Sequence, residues 1–410
     1  MIKDYIKYMK LFSKNSRLFL IGGVFNGIGM AVFSLLFNLY LEEYGFSKSD
    51  IGQILSYGSL GATVVAIPAA LIIERFHVKK ILFWSTILAL IAYTSQIFFK
   101  TLPLIFLFGF MANLFISVYR IAIAPFFMRN SNKSERIYLF SFNAALGMIS
   151  ALVGALIGGY IPAILETLFN VSMVYAYEIA LYLSIIATGI SIIPFHYITQ
   201  KPVPNEKTDI ISKFKGYNWY LIIRLMIPKI LIGLGAGLVI PFMNLYFSNV
   251  FNLESKQIGI YFSILQVFMF FGMISAPIIS KKFSMLNFIV WTEVLSIPFM
   301  LILALTNYLP LAVIAFVLRG MLMNMSGPVS TNLEMELVAE KDQAFTNAIS
   351  SLSWNGAWTI SAHFGGLIIQ KYSFTYSFYV TIVLYMMSAT TYYLFLKKYK
   401  LATQREHKIV

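Results

Sequence analysis

Gly27-Ile28-Gly29, followed by Phe37-Asn38-Leu39-Tyr40, has a counterpart much later in the chain. That counterpart is Gly233-Leu234-Gly235 followed, at the same spacing, by Met243-Asn244-Leu245-Tyr246. Working outward from this pair, Ser49-Asp50-Ile51-Gly52 is answered by Lys256-Gln257-Ile258-Gly259, Ile67-Pro68 by Ala276-Pro277, and Gly158-Gly159 by Gly365-Gly366. Four matches in one order, all near an offset of about 207 residues, mark an internal duplication. The halves run over residues 1–200 and 218–410. The polar stretch 201–217, with Pro202 and Pro204, joins them.

Composition says where such a chain can live. It is 59% hydrophobic and 12% charged, with a mean hydropathy of +0.77; a soluble domain carries about 25% charged residues. Runs of about 20 apolar residues are long enough to cross the hydrocarbon as helices. Twelve are predicted, over 18–41, 51–73, 81–99, 103–128, 139–165, 173–198, 219–247, 257–280, 286–305, 309–330, 345–369 and 374–396. The fold class is therefore an all-α membrane protein with two pseudo-symmetric six-helix bundles.

Net charge is +14, and all but six of the 31 Lys and Arg fall in the tails and the even-numbered connections, Arg224, Lys229 and Lys341 among them. The six are Lys48, Lys100, Lys256 and Lys371 on the other side, and Arg120 and Arg319 inside runs. That asymmetry places both termini in the cytoplasm. It also explains the basic balance as a membrane feature, with anionic lipid rather than nucleic acid as the partner of the charge. With no cysteine, disulfides and thiolate metal sites are excluded, and no metal or cofactor motif is present.

The loop after the second helix, Ala70-Leu-Ile-Ile-Glu74-Arg75-Phe-His77-Val-Lys79-Lys80, resembles the signature loop of the major facilitator superfamily in its acid, its arginine and its terminal basic pair, without the two glycines. Ser150-Ala-Leu-Val-Gly154-Ala155-Leu-Ile-Gly158-Gly159 is similar to the fifth-helix pattern of the family's antiporters, with Ala155 in place of proline. The resemblance spans nearly the whole chain. It implies a monomeric secondary transporter in the cytoplasmic membrane whose bundles rock about a midplane site, lined mainly by helices one, four, seven and ten.

Within that frame the residues take expected roles. Gly27, Gly29, Gly154, Gly158, Gly159, Gly233, Gly235, Gly365 and Gly366 suit close helix packing. Glu74, Arg75, Lys79, Lys80 and Glu135 in the first half, with Lys281, Lys282 and Glu334 in the second, are expected to close a cytoplasmic gate by exposed ion pairs. A charge inside the bilayer costs on the order of 3 kcal/mol and marks function. Arg120 and Arg319 could hold a carboxylate or phosphate of a solute; alternatively Arg319 pairs with Glu293. The solute contacts are expected from those arginines together with Asn26, Asn113, Tyr119, Gln266, Asn324, Trp354, Asn355 and Trp358. Trp354 and Trp358 share a helix face and could stack on a ring. Glu293 and His363 are the proton-coupling candidates.

Two substrate readings stay open: efflux of an amphiphilic, drug-like compound, which the aromatic content favours, and import of a small organic anion or nutrient, which the arginines favour. A membrane enzyme would need paired carboxylates, HExxH or a Ser/His constellation, and none is present. A sensor on the same frame would be expected to carry an added soluble domain.

Overall fold

The computed structural model describes residues 11–199, 218–339 and 342–406. The linker 201–217, Glu340 and Lys341 lie outside the described residues, as do the side chains of Glu74, Arg75 and Lys281. Among the described residues there are twelve long helices and no strand. In chain order they are α1 Lys14–Tyr44, α2 Lys48–Arg75, α3 Val78–Phe98, α4 Leu102–Asn130, α5 Lys133–Phe169, α6 Met173–Ile190, α7 Trp219–Val239, α8 Ser255–Phe283, α9 Met285–Leu305, α10 Leu309–Leu337, α11 Gln343–Lys371 and α12 Phe374–Glu406.

The duplication is visible in local chemistry. Helices α3 and α9 both have 21 residues, and α4 and α10 both have 29, each of the latter opening on Leu-Pro-Leu. Proline suits that place because the first helical N–H groups have no carbonyl to meet. At the start of α2, Asp50 accepts from the backbone N–H of Ser47 at 3.0 Å while the Ser47 hydroxyl accepts from the Asp50 N–H at 3.1 Å, a capping box. At the start of α8 Gln257 reaches back in the same way, accepting from the Glu254 N–H at 2.9 Å.

Two predicted spans are broken. The seventh, expected to run unbroken over 219–247, gives way at the 3-10 turn Ile240–Phe242 and resumes as Met243–Phe251. Pro241 supplies no N–H and ends the regular ladder there. The sixth stops at Ile190 and continues as the short helix Ile192–His196, which contains Pro194. Among the described residues eleven helices are apolar and long enough to cross a membrane; α11 is not one of them, because Asn347, Ser350, Ser351, Ser353 and Asn355 interrupt its apolar run.

The chain divides into two compact units. The first is residues 1–205 with Asn244–Gln266, and the second is residues 206–243 with 267–410. In the first, α4 packs on α2 and α3, and α1 on α5 and α6. Gly154 of α5 lies against Ala31 and the Ile28 carbonyl of α1. Gly29 of α1 lies against Thr188 and the Ser184 carbonyl of α6. The segment Asn244–Gln266 belongs here by its bonds. The Asn244 amide donates to Leu35 O at 2.8 Å, Ser255 to Gly159 O at 3.0 Å and Ser263 to Leu152 O at 3.1 Å. Gly159 and Gly259 let those backbones touch.

In the second unit α7 packs on α11 and α12, and α9 on α10 and α12. Gly233 lies against Ala357, Gly237 against Ser361, Gly365 against the Leu238 carbonyl and Gly235 against the Tyr385 ring.

These contacts leave no room for a methyl group. Gly29→Ala is expected to lower stability by about 1–3 kcal/mol, the cost of overpacking. Gly147→Ala, which meets open space, should be neutral or gain up to about 1 kcal/mol from helix propensity. Thermal unfolding of the two variants in detergent micelles checks both.

Candidate functional site

In the first unit the candidate residues lie on α1, on α4 and, for Gln266, on α8. Tyr119 is 5% exposed and stacks at 6.2 Å on Phe19, which also meets Phe126, Phe127 and Phe195. It is an aromatic core residue rather than a group open to a solute. Asn113 returns its amide to Gly109 O of its own helix at 3.1 Å. Asn26 is 6% exposed, and its amide nitrogen has no hydrogen-bond partner among the described residues. Arg120 behaves differently from its neighbours. Its side chain is exposed and makes no hydrogen bond or ion pair with a described residue. Gln266 is half-buried.

The second unit holds the larger polar assembly. Lys229 lies ten residues into α7, not in a connection as its charge suggested. Its ammonium donates to both oxygens of Glu334, at 2.8 and 3.1 Å, and to the Ser350 hydroxyl. Ser350 donates to the Glu334 Oε2 at 2.9 Å and Ser330 to Oε1 at 3.2 Å. Ser330 in turn shares a hydrogen bond with the Tyr392 hydroxyl at 3.0 Å. All three ammonium protons are used, and each carboxylate oxygen accepts twice. The network ties α7, α10, α11 and α12 together. The Glu334 side chain is 1% exposed, so it is a buried anion on the last turn of α10, not an exposed gate residue facing Lys281 and Lys282.

Arg319 also departs from expectation. It is 5% exposed and donates to the Tyr385 hydroxyl at 2.5 Å, with the guanidinium 5.7 Å from that ring. Glu293 on α9 is fully buried, and both its oxygens lack a hydrogen-bond partner among the described residues. The Arg319–Glu293 pair is therefore not formed. Arg120 and Arg319 also sit at different depths of their helices, 18 residues into α4 and ten into α10. Asn324, like Asn113, bonds the carbonyl four residues back, Gly320 O at 2.8 Å.

On α11 the Trp354 and Trp358 rings lie 5.9 Å apart at 39°, both half-buried, with Asn355 between them. His363 is half-buried with its ring against Phe364.

The expected gate residues are only partly brought together. Glu135 is spent on capping α5, accepting from the Asn132 N–H at 2.9 Å. Lys79 is half-buried, and Lys80 and Lys282 are exposed. None of the three pairs with Glu135 or Glu334. Sequence reading missed Lys229, Ser330, Ser350, Tyr385 and Tyr392. The signal for Lys229 was present: it lies inside an apolar run, where a charge needs a partner.

Twelve long helices in two repeated sets, eleven of them apolar enough to cross a membrane among the described residues, with charges held inside them, are the frame of a polytopic membrane protein. The Major Facilitator Superfamily profile matches residues 19–341 and again 225–408, and the chain belongs to that superfamily. It is thus a multi-pass membrane transporter of a small solute and not an enzyme. No curated protein matches the sequence. Among solved structures the fold is similar to that of a bacterial homologue of the human lysosomal transporter Spinster, at 14% identity and TM-score 0.76, covering 93% of this chain and 96% of that one. It is also similar to the nucleoside transporter NupG, at 13% identity and TM-score 0.76, covering 95% and 100%. A third likeness is to a D-xylose–proton symporter, at 14% identity and TM-score 0.74, covering 95% and 98%.

Breaking a buried ion pair from one side leaves an uncompensated charge, whereas replacing both partners by apolar groups is often neutral. Glu334→Gln or Lys229→Met alone should cost about 3–5 kcal/mol, and K229M/E334L should recover most of it. A double-mutant cycle on unfolding midpoints in micelles reads the difference.

Proposed function

We propose that the chain exports an amphiphilic, ring-bearing organic solute across the cytoplasmic membrane by alternating access, as a monomer with both termini in the cytoplasm. Residues 1–200 and 218–410 are the rocking bundles and 201–217 their link. The observation that carries this reading is the Trp354–Trp358 pair on α11, the long helix whose apolar run is interrupted by hydroxyls and amides. Two partly open indole rings one helical turn apart offer a ring-shaped solute a stacking face. Asn26, with an unpartnered amide, is a further contact, and Gln266 and Asn324 complete the neutral set. The burial of Arg319, 5% exposed beside Tyr385, supports the same reading, since it withdraws one of the two cations from an incoming anion.

Import of a small organic anion is the second reading, and the exposed, unpaired Arg120 favours it. Protons are the candidate co-substrate, with Glu293 and His363 as carriers; the lack of a partner for either Glu293 oxygen supports its candidacy. Lys79, Lys80 and Lys282, together with Glu74, Arg75 and Lys281, remain the proposed cytoplasmic gate.

A thermal-shift ligand screen on the purified protein, followed by uptake in proteoliposomes with and without a pH gradient, separates the readings. Aromatic amphiphiles should bind the wild type and bind at least tenfold more weakly to Trp354→Ala and Trp358→Ala, with Arg120→Ala unaffected. Binding of organic anions that is lost in Arg120→Ala and kept in both tryptophan variants would decide for the second reading.

A further inference from the structure

At the basic end of the first unit, the start of α3, the end of α4 and residues 198–199 enclose an open cleft. Its lining includes the basic residues His77, Lys79 and Arg129 and the apolar residues Phe126 and Ile198. The described lining contains no carboxylate. Arg129 holds the Ile73 carbonyl at 3.4 Å, which fixes its side chain at the rim. The helix behind the cations, α3, begins at His77 without a side-chain cap, so its first N–H groups add positive potential to the same place.

The walls of this cleft are held by one buried amide. Asn15, 4% exposed, donates to Asn130 Oδ1 at 2.8 Å and to Thr199 O at 3.1 Å. Its own oxygen accepts from the Thr199 N–H and hydroxyl, each at 2.9 Å. Every donor and acceptor of the amide is used. Both Asn130 and Thr199 line the cleft, so α1 locks its two walls together before any ligand arrives. Such a pre-organised site loses little freedom on binding.

The surroundings say what the ligand is. Trp84 on the first turns of α3 and Tyr197 beside the cleft are 57% and 64% exposed. Exposed Trp and Tyr at helix ends mark the headgroup level of a bilayer. Beyond them the outer faces of α3 and of Ile192–His196 present Leu88, Ile91 and Ile193 to the surroundings. Cations at headgroup level, apolar side chains in the same lining and an apolar outer wall are the complement of an acyl-chain phosphate ester.

We propose that this cleft seats the phosphate of an anionic phospholipid, with Lys79 and Arg129 as its charge partners, His77 at its edge and Asn15 as the residue that positions the walls. The inference is independent of which solute the protein carries. Lipid bound there bridges α3 and α4 and stabilises the first unit.

Unfolding midpoints of the full chain in detergent micelles test this with dioleoylphosphatidylglycerol, dioleoylphosphatidylcholine and inorganic phosphate as separate additives. Phosphatidylglycerol should raise the midpoint saturably while the other two do not. Each cation removed should weaken the apparent affinity roughly fivefold, so K79Q/R129Q should lose roughly 25-fold. Lys14→Gln, an exposed lysine at the same end outside the lining, should change nothing. Asn15→Ala should weaken binding with every charge in place; should that variant fail to fold, K79Q/R129Q still decides. Equal shifts from phosphatidylcholine or from free phosphate, a phosphatidylglycerol shift kept in K79Q/R129Q, or an equal loss in Lys14→Gln would each overturn the proposal.

Discussion

Hydrocarbon offers a protein no water to hydrogen-bond, so helices must satisfy their own backbones and gain stability from close contact alone. That constraint organises both units. At Gly29 against Ser184 and Thr188, and at Gly237 against Ser361, the helix axes approach until a single methyl would not fit. Hydroxyls in these seams bond backbone carbonyls, as Thr381 does with Gly235 O at 3.0 Å and Ser377 with Leu238 O at 2.8 Å. Polar side chains thereby become adhesive rather than exposed.

The same constraint explains why the few interior charges are handled so differently. Lys229 and Glu334 neutralise each other inside a closed ring of hydroxyls, so their presence does not require solvent. Arg319 is absorbed by a tyrosine. Neither Glu293 oxygen has a hydrogen-bond partner among the described residues, and Arg120 is exposed. A transporter needs both kinds: charges that hold a bundle's shape and charges left available. Telling them apart takes three-dimensional neighbours.

Much of the fold was legible because its signals are one-dimensional. Long apolar runs give spans, and the recurrence of Gly-x-Gly and Asn-Leu-Tyr gives the two halves. The glycines foretold close packing because a missing side chain has few other uses in a lipid-facing helix. The site was less legible. Glu334 reads as a loop acid because the apolar run ends before it, yet α10 continues to Leu337 and carries the carboxylate inward. Lys229 was counted with the topogenic lysines, since charge alone does not reveal a partner 105 residues away. Asn15 gave no signal at all: an asparagine near a helix start is ordinary, and only the convergence of α1, α4 and Thr199 makes its amide a keystone.

The polarity of α11 bears on how the protein is made. A helix with this many hydroxyls and amides partitions poorly from the translocon into lipid by itself. Its best-matched surface is α7, whose Gly233 and Gly237 receive Ala357 and Ser361, and α7 is synthesised more than a hundred residues earlier. The eleventh span thus emerges to find its closest-fitting partner already synthesised, and α7 offers it a surface on which its polar groups can be covered.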